Sequence, residues 1–250
     1  MDFSPWERHF ELNAGHSLEA QLDRAAPCRL NESDRQAFVR SLQRFELGER
    51  GDGAHLLAAA ERAGDATYTR ALALLVIEEQ RHSSLFGQAL RHLGGEPLAG
   101  HWSDTAFTML RRALGLRTEL GLFLVAESVA LEYFGALATA APDPVLRAIG
   151  ARVCRDELNH LRFQVARLAQ AFTGTPAPIR WAARIALLTI GTCAAMVVAF
   201  DHRAALRACD RQPIRYACRA LRHLRRHLDL ALAGSPCPLG PVDQLLVTAC

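Results

Sequence analysis

Glutamate and histidine stand three residues apart at two places in this chain, as Glu79-x-x-His82 and Glu157-x-x-His160. On an α-helix, residues three apart lie on one face, about 4.5 Å apart along the axis at 1.5 Å per residue. Each pair could therefore offer a carboxylate oxygen and an imidazole nitrogen to one metal ion. Because the pattern occurs twice, the sequence predicts two metal positions.

The residues need helices to position them, and apolar periodicity predicts four, each carrying an acid or a Glu-x-x-His pair in its apolar stripe. In the first predicted hairpin, Glu49 and Glu79 lie 30 residues apart, with Gly64 midway between them. In the second hairpin, Glu127 and Glu157 also lie 30 residues apart, around a proline-containing turn. Residues equidistant from a turn lie side by side in an antiparallel pair, so each hairpin would place a glutamate opposite a Glu-x-x-His. The four helices are predicted at about 34–62, 67–93, 117–140 and 144–172.

Two other acids compete for these positions. Glu46 lies one helical turn before Glu49, and the hairpin spacing tolerates either residue. Glu132 competes with Glu127 less strongly, because Glu132 leaves the apolar stripe. The choice between Glu46 and Glu49 stays open at this point.

The order Glu, Glu-x-x-His, Glu, Glu-x-x-His on four helices resembles the ferritin-like di-iron carboxylate proteins. The resemblance covers about residues 34–172. It implies an all-α fold, a ferritin-like four-helix bundle with about two to three additional helices, within a single domain over residues 1–250. Four carboxylates among apolar side chains would each cost several kcal/mol without a partner, whereas two divalent cations would neutralise all four.

The resemblance also implies a role for each metal-ligating residue. Glu49 with His82 would hold the first metal, and Glu127 with His160 the second. Glu79 and Glu157 would bridge the two ions. The acids that precede the motifs, Glu78 and Asp156, are candidates to accept the far ring N–H of a ligand histidine.

Four carboxylates and two imidazoles suit two iron ions, with manganese as an alternative, and leave room for dioxygen. We therefore expect an oxygen-activating non-haem di-iron oxidoreductase of the hydroxylase or N-oxygenase type, acting on a small organic substrate, with no catalytic residues beyond the metal ligands. The apolar run 122–126 beside Glu127 could wall a substrate pocket. No dinucleotide fingerprint is present, so a separate reductase or ferredoxin would act as external electron donor. The alternatives are a ferroxidase or iron-handling protein, and a structural metal-binding bundle.

The rest of the chain is less informative. Residues 1–33 are aperiodic and are predicted to form an N-terminal arm, residues 173–233 two additional helices, and residues 234–250 an irregular tail. The apolar run Ile185 to Phe200 has 16 residues, too short for a membrane span, and favours a buried helix. An exposed face on this helix would allow a homodimer. Asp201-His202 is interpreted as a polar cluster at a helix end.

The charge of the chain excludes few classes of function. The formal net charge is +3 and every basic residue is Arg, so bulk charge argues for neither nucleic acid nor a membrane surface. The predicted last helix carries Arg219, Arg222, Arg225 and Arg226 around His223 and His227. This arrangement favours a solvated basic face that could contact an acidic partner. No secretory signal pattern is present at the N-terminus, and the simplest expectation is a cytoplasmic protein.

Overall fold

The computed structural model describes residues 2–15, 27–102, 108–109, 116–237 and 239–242. Within these ranges the regular structure is helical, without strands. The sequence also predicts a helix from about residue 104 to Gly115, and of this segment only residues 108–109 are among the described residues. The last part of the tail lies outside the described residues. The helices are α1 (Ser4–Ala14), α2 (Glu32–Glu49), α3 (Ala54–Arg62), α4 (Ala66–His92), α5 (Leu116–Ala140), α6 (Pro144–Ala171), α7 (Ala177–Asp201), α8 (Arg203–Ala208) and α9 (Pro213–Ala231).

Side-chain caps fix where the core helices begin. The carboxylate of Asp65 accepts the backbone N–H of Tyr68 at 3.1 Å, and α4 starts there. Asp143 accepts the N–H of Val145 at 2.9 Å at the start of α6, where Pro144 takes the first helical position. Such caps satisfy donors that a helix N-terminus leaves unpaired. Both predicted hairpin turns therefore lie where the sequence placed them.

The predicted first helix, about 34–62, is wrong in one respect, because it is two helices. α2 ends at Glu49 and α3 begins at Ala54. Between them Gly53 adopts a φ of +63°, and a Cβ built on it would lie 2.7 Å from a methyl of Val76. Left-handed backbone in such close contact requires glycine. The break makes Glu49 the last residue of its helix instead of a mid-helix position.

The first residues of the chain are not an aperiodic arm. Residues 4–14 form α1, which packs along α4. Phe3, Trp6 and Phe10 are buried, and all three have ring contacts with Phe163 of α6. Burying each such side chain is worth about 1.5–3 kcal/mol, so α1 belongs to the core of the protein.

The four helices of the predicted core pack as two pairs, α2 with α4 and α5 with α6, and α4 also meets α6. Outside α5 lie α7 and α9, which pack against α5 and against each other. Gly191 of α7 allows this close approach, since a Cβ there would lie 2.1 Å from the Leu224 side chain of α9.

Two described helices, α5 and α7, are long and apolar enough to cross a membrane by length and composition. In α5 the most apolar window is 72% buried, as in the core helix of a globular protein. In α7 that window is only 22% buried, so the prediction of a buried helix between Ile185 and Phe200 is wrong. Hydropathy identified the helix correctly, but its outer side is not covered by the described residues.

Candidate metal centre

The two Glu-x-x-His pairs come together between α4 and α6. Glu79, His82, Glu157 and His160 each offer one ligand atom, and these atoms all lie within 4.8 Å of one another. His160 Nδ1 is 2.8 Å from Glu79 Oε1, and His82 Nδ1 is 3.5 Å from Glu157 Oε1. Both imidazoles are buried. The helical face predicted from the i, i+3 spacing therefore brings carboxylates and imidazoles to one point.

The far nitrogen of each imidazole is held by an acid from the opposite motif. His82 Nε2 lies 3.1 Å from Asp156 Oδ2, and His160 Nε2 lies 2.7 Å from Glu78 Oε2. An ionised carboxylate can only accept, so each Nε2 carries the proton and donates. In the neutral ring each Nδ1 then turns its lone pair towards the cluster, the arrangement that metal-ligating histidines need. The predicted partner acids make these contacts, but each acid holds the histidine of the other helix and not the histidine of its own motif.

Five buried atoms of this region have no hydrogen-bond partner among the described residues. Glu79 Oε1 and His160 Nδ1, 2.8 Å apart, face each other with lone pairs when the ring is neutral, and they pair only when the imidazole takes up a second proton, which its raised pKa favours. An unsatisfied buried polar atom costs about 1–3 kcal/mol, so a cluster of five requires positive charge, which protons on the imidazoles or a metal cation can supply. The residues present therefore fit a metal centre. The five atoms are Glu79 Oε1, His82 Nδ1, Glu127 Oε2, Glu157 Oε2 and His160 Nδ1.

Glu49, rather than Glu46, faces the cluster from α2. Glu49 hydrogen-bonds to Glu79, and burial together with the charges of Glu79 and Glu157 raises the pKa of Glu49 well above its usual range. Glu46 is engaged elsewhere, because Arg50 Nε donates to its carboxylate at 3.1 Å and Ser83 Oγ donates to it at 3.3 Å. The contacts thus distinguish two acids that spacing alone left open.

Glu127 reaches the cluster from α5. Its Oε1 accepts a hydrogen bond from the amide of Gln164, while Oε2 has no partner among the described residues. Burial, then the charges of Glu157 and Glu79, raise the pKa of Glu127 well above its usual range. Gln164 was not predicted as a site residue, although its interruption of the apolar stripe one turn after His160 was a visible signal. The competing Glu132 points away, towards Arg219 at 3.2 Å.

The electrostatics of the cluster favour positive charge. Burial raises the pKa of Glu157, and repulsion from Glu79 raises it further. Burial lowers the pKa of both histidines, but hydrogen bonds and charges from the surrounding carboxylates outweigh it and raise the pKa of His82 and His160 well above the usual range. For Glu79 burial raises the pKa, yet His160 and the adjoining hydrogen bonds prevail and lower it well below the usual range. Crowded carboxylates of this kind are what divalent cations bind.

Two residues behind the histidines were missed by the sequence analysis. The buried amide of Asn13, at the end of α1, donates to Asp156 Oδ1 at 3.0 Å and to Glu78 Oε1. Arg152 donates to Asp156 Oδ2 at 2.7 Å and to Asn13 Oδ1 at 3.1 Å. Burial raises the pKa of Asp156, but His82 and Arg152 overcome this and lower it to about 2. Arg152 was detectable as an i, i+4 partner, whereas no local signal connects Asn13 with acids so distant in sequence.

A cavity of about 690 Å³ adjoins the carboxylate side of the cluster. Glu49, Glu79, Glu127 and Glu157 line one part of it. Of the predicted wall 122–126, three residues line it; Leu122 and Leu124 do not. The three residues of the predicted wall that line the cavity are Phe123, Val125 and Ala126. The walls are otherwise mainly apolar and come from α2 to α5 and α7.

Asp201 and His202 lie on this cavity at the end of α7, as a helix-end polar cluster. Asp201 pairs with Arg44 at 3.5 Å, and His202 Nδ1 lies 2.6 Å from Ser41 Oγ. Burial and the nearby charge of Arg44 lower the pKa of His202 to about 3. His202 is therefore neutral at physiological pH, and it is not among the residues whose ligand atoms meet at the cluster.

A second group of ligand-type residues, Cys28, His92 and Asp143, lies at the α4–α6 end of the molecule. Its carboxylate is already satisfied, because Asp143 caps α6 and also accepts from His92 Nε2 at 3.1 Å and from the Arg29 N–H at 3.3 Å. These hydrogen bonds are sufficient to explain the group as a structural link between helix ends.

The described fold and site define an all-helical protein with a candidate His/Glu metal centre. Comparison with protein-family models, with curated proteins and with solved structures gives no match.

Proposed function

We propose that this protein is an oxygen-activating non-haem di-iron oxidoreductase, of the hydroxylase or N-oxygenase type, that acts on a small organic substrate. The observation that carries the proposal is the position of the orphaned Glu and His atoms at the side of a large, mainly apolar cavity. A metal bundle with a purely structural role has no need of such a cavity. The four-helix arrangement of α2, α4, α5 and α6 supports a ferritin-like architecture.

In this proposal Glu49 and His82 would hold one metal, Glu127 and His160 would hold the other, and Glu79 and Glu157 would be shared by both. When bound, two iron ions supply the electrons that reduce dioxygen, and manganese is a chemically related alternative. Zinc would fit the ligands but has no redox chemistry.

The chain's own residues do the positioning. Glu78 and Asp156 hold the two imidazole rings with Nδ1 towards the cluster. Gln164 holds the Glu127 carboxylate by donating to one of its oxygens, which leaves the other oxygen for a metal. The apolar side chains around the cavity, such as Phe123 and Leu72, exclude water and bind the substrate next to the carboxylates. The electrons that complete each turnover come from an external donor, a separate reductase or a ferredoxin.

The first experiment is a measurement of bound metal and of dioxygen consumption. Anaerobic protein loaded with ferrous iron should hold about two iron ions per chain, the stoichiometry of a six-ligand di-metal site. On exposure to dioxygen it should consume the gas and show a transient visible absorption. Glu79→Ala/Glu157→Ala should abolish both, whereas Glu132→Ala, which removes an acid of α5 that faces Arg219, should retain both.

Two results would contradict the proposal. A folded double variant that still binds both metals would refute the site. A large hollow assembly that mineralises many irons per chain would refute the oxygenase and favour the ferroxidase or iron-handling alternative.

A further inference from the structure

The outer face of α7 is exposed and uncharged. Every exposed residue of this helix is apolar or a small polar residue, from Ala177 to Phe200. Trp181 and Phe200, near its two ends, are 66% and 65% exposed. At 1.5 Å per residue, the 25 residues of α7 extend over roughly 37 Å. An uncharged apolar face of this length marks an interaction surface on a protein.

The charged residues of α7 are on its other side. Arg180 donates to Thr175 and Leu232 carbonyls at 2.6 and 3.1 Å, Arg184 pairs with Asp229, and Asp201 pairs with Arg44 at 3.5 Å. Together with the packing of α7 on α5 and α9, these contacts keep one side of the helix against the protein. Only the outer side of α7 is therefore free to meet a partner, as in helices that lie along a membrane surface.

A row of arginines borders this face. α9 packs along α7, with Leu224 against Gly191 and Asp229 paired with Arg184. Its outward residues include four exposed arginines for which the described residues provide no acidic partner, and a fifth, Arg219, that pairs with Glu132. The four are Arg215, Arg222, Arg225 and Arg226.

Charge distinguishes the occupants that this surface could take. Two copies joined symmetrically through α7 would bring two arginine rows to the same interface, where like charges repel. An anionic lipid surface accepts both features, because its acyl region takes the apolar side chains and its headgroups pair with arginine. We propose that α7 and α9 form a surface by which this protein lies on an anionic membrane, and that its substrate is an uncharged, lipid-soluble molecule that enters the cavity beside α7. The second half rests on the proposed function.

The cavity connects the two halves of the proposal. Ile190, Ala194 and Val198 line it from the inner side of α7, and Val197 lines it while being exposed. One helix thus separates the apolar outer face from the apolar cavity. The arginines at the cavity, Arg44 and Arg50, are paired with Asp201 and Glu46, so the lining favours an uncharged ligand.

Docking is tested by sedimentation of the full chain with vesicles. Binding is expected to phosphatidylcholine vesicles that contain about a third phosphatidylglycerol, and to weaken with added salt. Arg222→Gln/Arg225→Gln/Arg226→Gln should weaken binding on the order of 100-fold, about fivefold for each arginine at the membrane surface. Trp181→Ser/Phe200→Ser should abolish it. The matched control removes three exposed arginines of α2, α3 and α4, as Arg40→Gln/Arg62→Gln/Arg91→Gln, and should leave binding unchanged.

The docking surface would be overturned if the control variant with three arginines replaced weakened vesicle binding equally. It would also be overturned if the protein did not bind anionic vesicles. A dimer in light scattering that Trp181→Ser/Phe200→Ser converts to a monomer would overturn it as well, because α7 would then be an interface between copies. Iron content, measured on the same samples, reports on the metal centre separately, and vesicle binding needs no iron.

Entry into the cavity is tested with naphthalene as an uncharged apolar probe. Naphthalene in the vesicles should bind the protein, and Ala194→Phe, on the inner side of α7, should weaken that binding at least tenfold without changing vesicle binding. Unaltered naphthalene binding in Ala194→Phe would overturn the cavity route and leave the docking surface standing.

Discussion

Replacing Asn13 by alanine tests whether α1 takes part in the metal centre. The substitution removes the donor that Asp156 Oδ1 receives at 3.0 Å and the donor that Glu78 receives, and it leaves Arg152 without its acceptor on Asn13. Hydrogen bonds to charged groups are worth about 1.5–3 kcal/mol each, and part of that loss is recovered by rearrangement and water. We expect the free energy of unfolding to fall by about 2–4 kcal/mol.

Metal affinity should fall as well. Asn13 donates to Glu78 and Asp156, the two acids that orient the imidazoles of His160 and His82. Losing such partners typically costs 10- to 100-fold in affinity. Competition with a chromophoric chelator measures this, using ferrous iron under anaerobic conditions and a denaturant titration of the chelated protein for stability.

The matched control is Asn31→Ala. Asn31 caps α2 by accepting the N–H of Asp34 at 2.9 Å and is exposed. Its loss should cost about 1 kcal/mol of stability and leave metal affinity unchanged. If Asn13→Ala behaves like this control, with metal affinity within twofold of the parent, the assignment of α1 to the metal centre is wrong.

Three further outcomes follow from single side chains. Burial lowers the pKa of His202 from 6.5 to about 3, so the folded state resists a proton that the unfolded chain takes up below pH 6.5. Urea titration should show the stability of the parent falling by about 2 kcal/mol relative to that of His202→Gln between pH 7 and 5, because the other histidines contribute equally to both proteins. Gln164→Leu leaves Glu127 without its donor and should weaken the binding of one of two irons about tenfold in calorimetry. Gly53→Ala, at φ +63°, should destabilise by about 1–2 kcal/mol in thermal unfolding, whereas Gly51→Ala, with open space around it, should change stability by under about 0.5 kcal/mol.

The sequence predicted those parts of the site that depend on regular geometry. Within each of the pairs Glu79–His82 and Glu157–His160, helical periodicity places the two residues on one face, and the packing of α4 on α6 then brings the two pairs together. The choice of Glu49 over Glu46 needed the structure, since it depends on Arg50 and on the helix end. Metal identity and activity stay predictions.

The features that could not be predicted from the sequence depend on contacts between distant segments. The break at Gly53 was missed because a glycine within a helix costs only about 1 kcal/mol, and its close contact with Val76 is not local. Asn13 was missed because α1 meets α4 and α6 only in the folded chain. The exposure of α7 was missed because hydropathy measures what a helix is made of and not what covers it.

The crossed arrangement behind the histidines makes the two hairpins depend on each other. Glu78 of α4 serves His160 of α6, and Asp156 of α6 serves His82 of α4. Each half of the chain therefore supplies a candidate ligand histidine whose orienting acid belongs to the other half. A chain divided at the turn near Pro142 would yield two fragments, each with one of these histidines and without the acid that holds its Nε2, so His82 and His160 would be oriented only when the fragments reassociate.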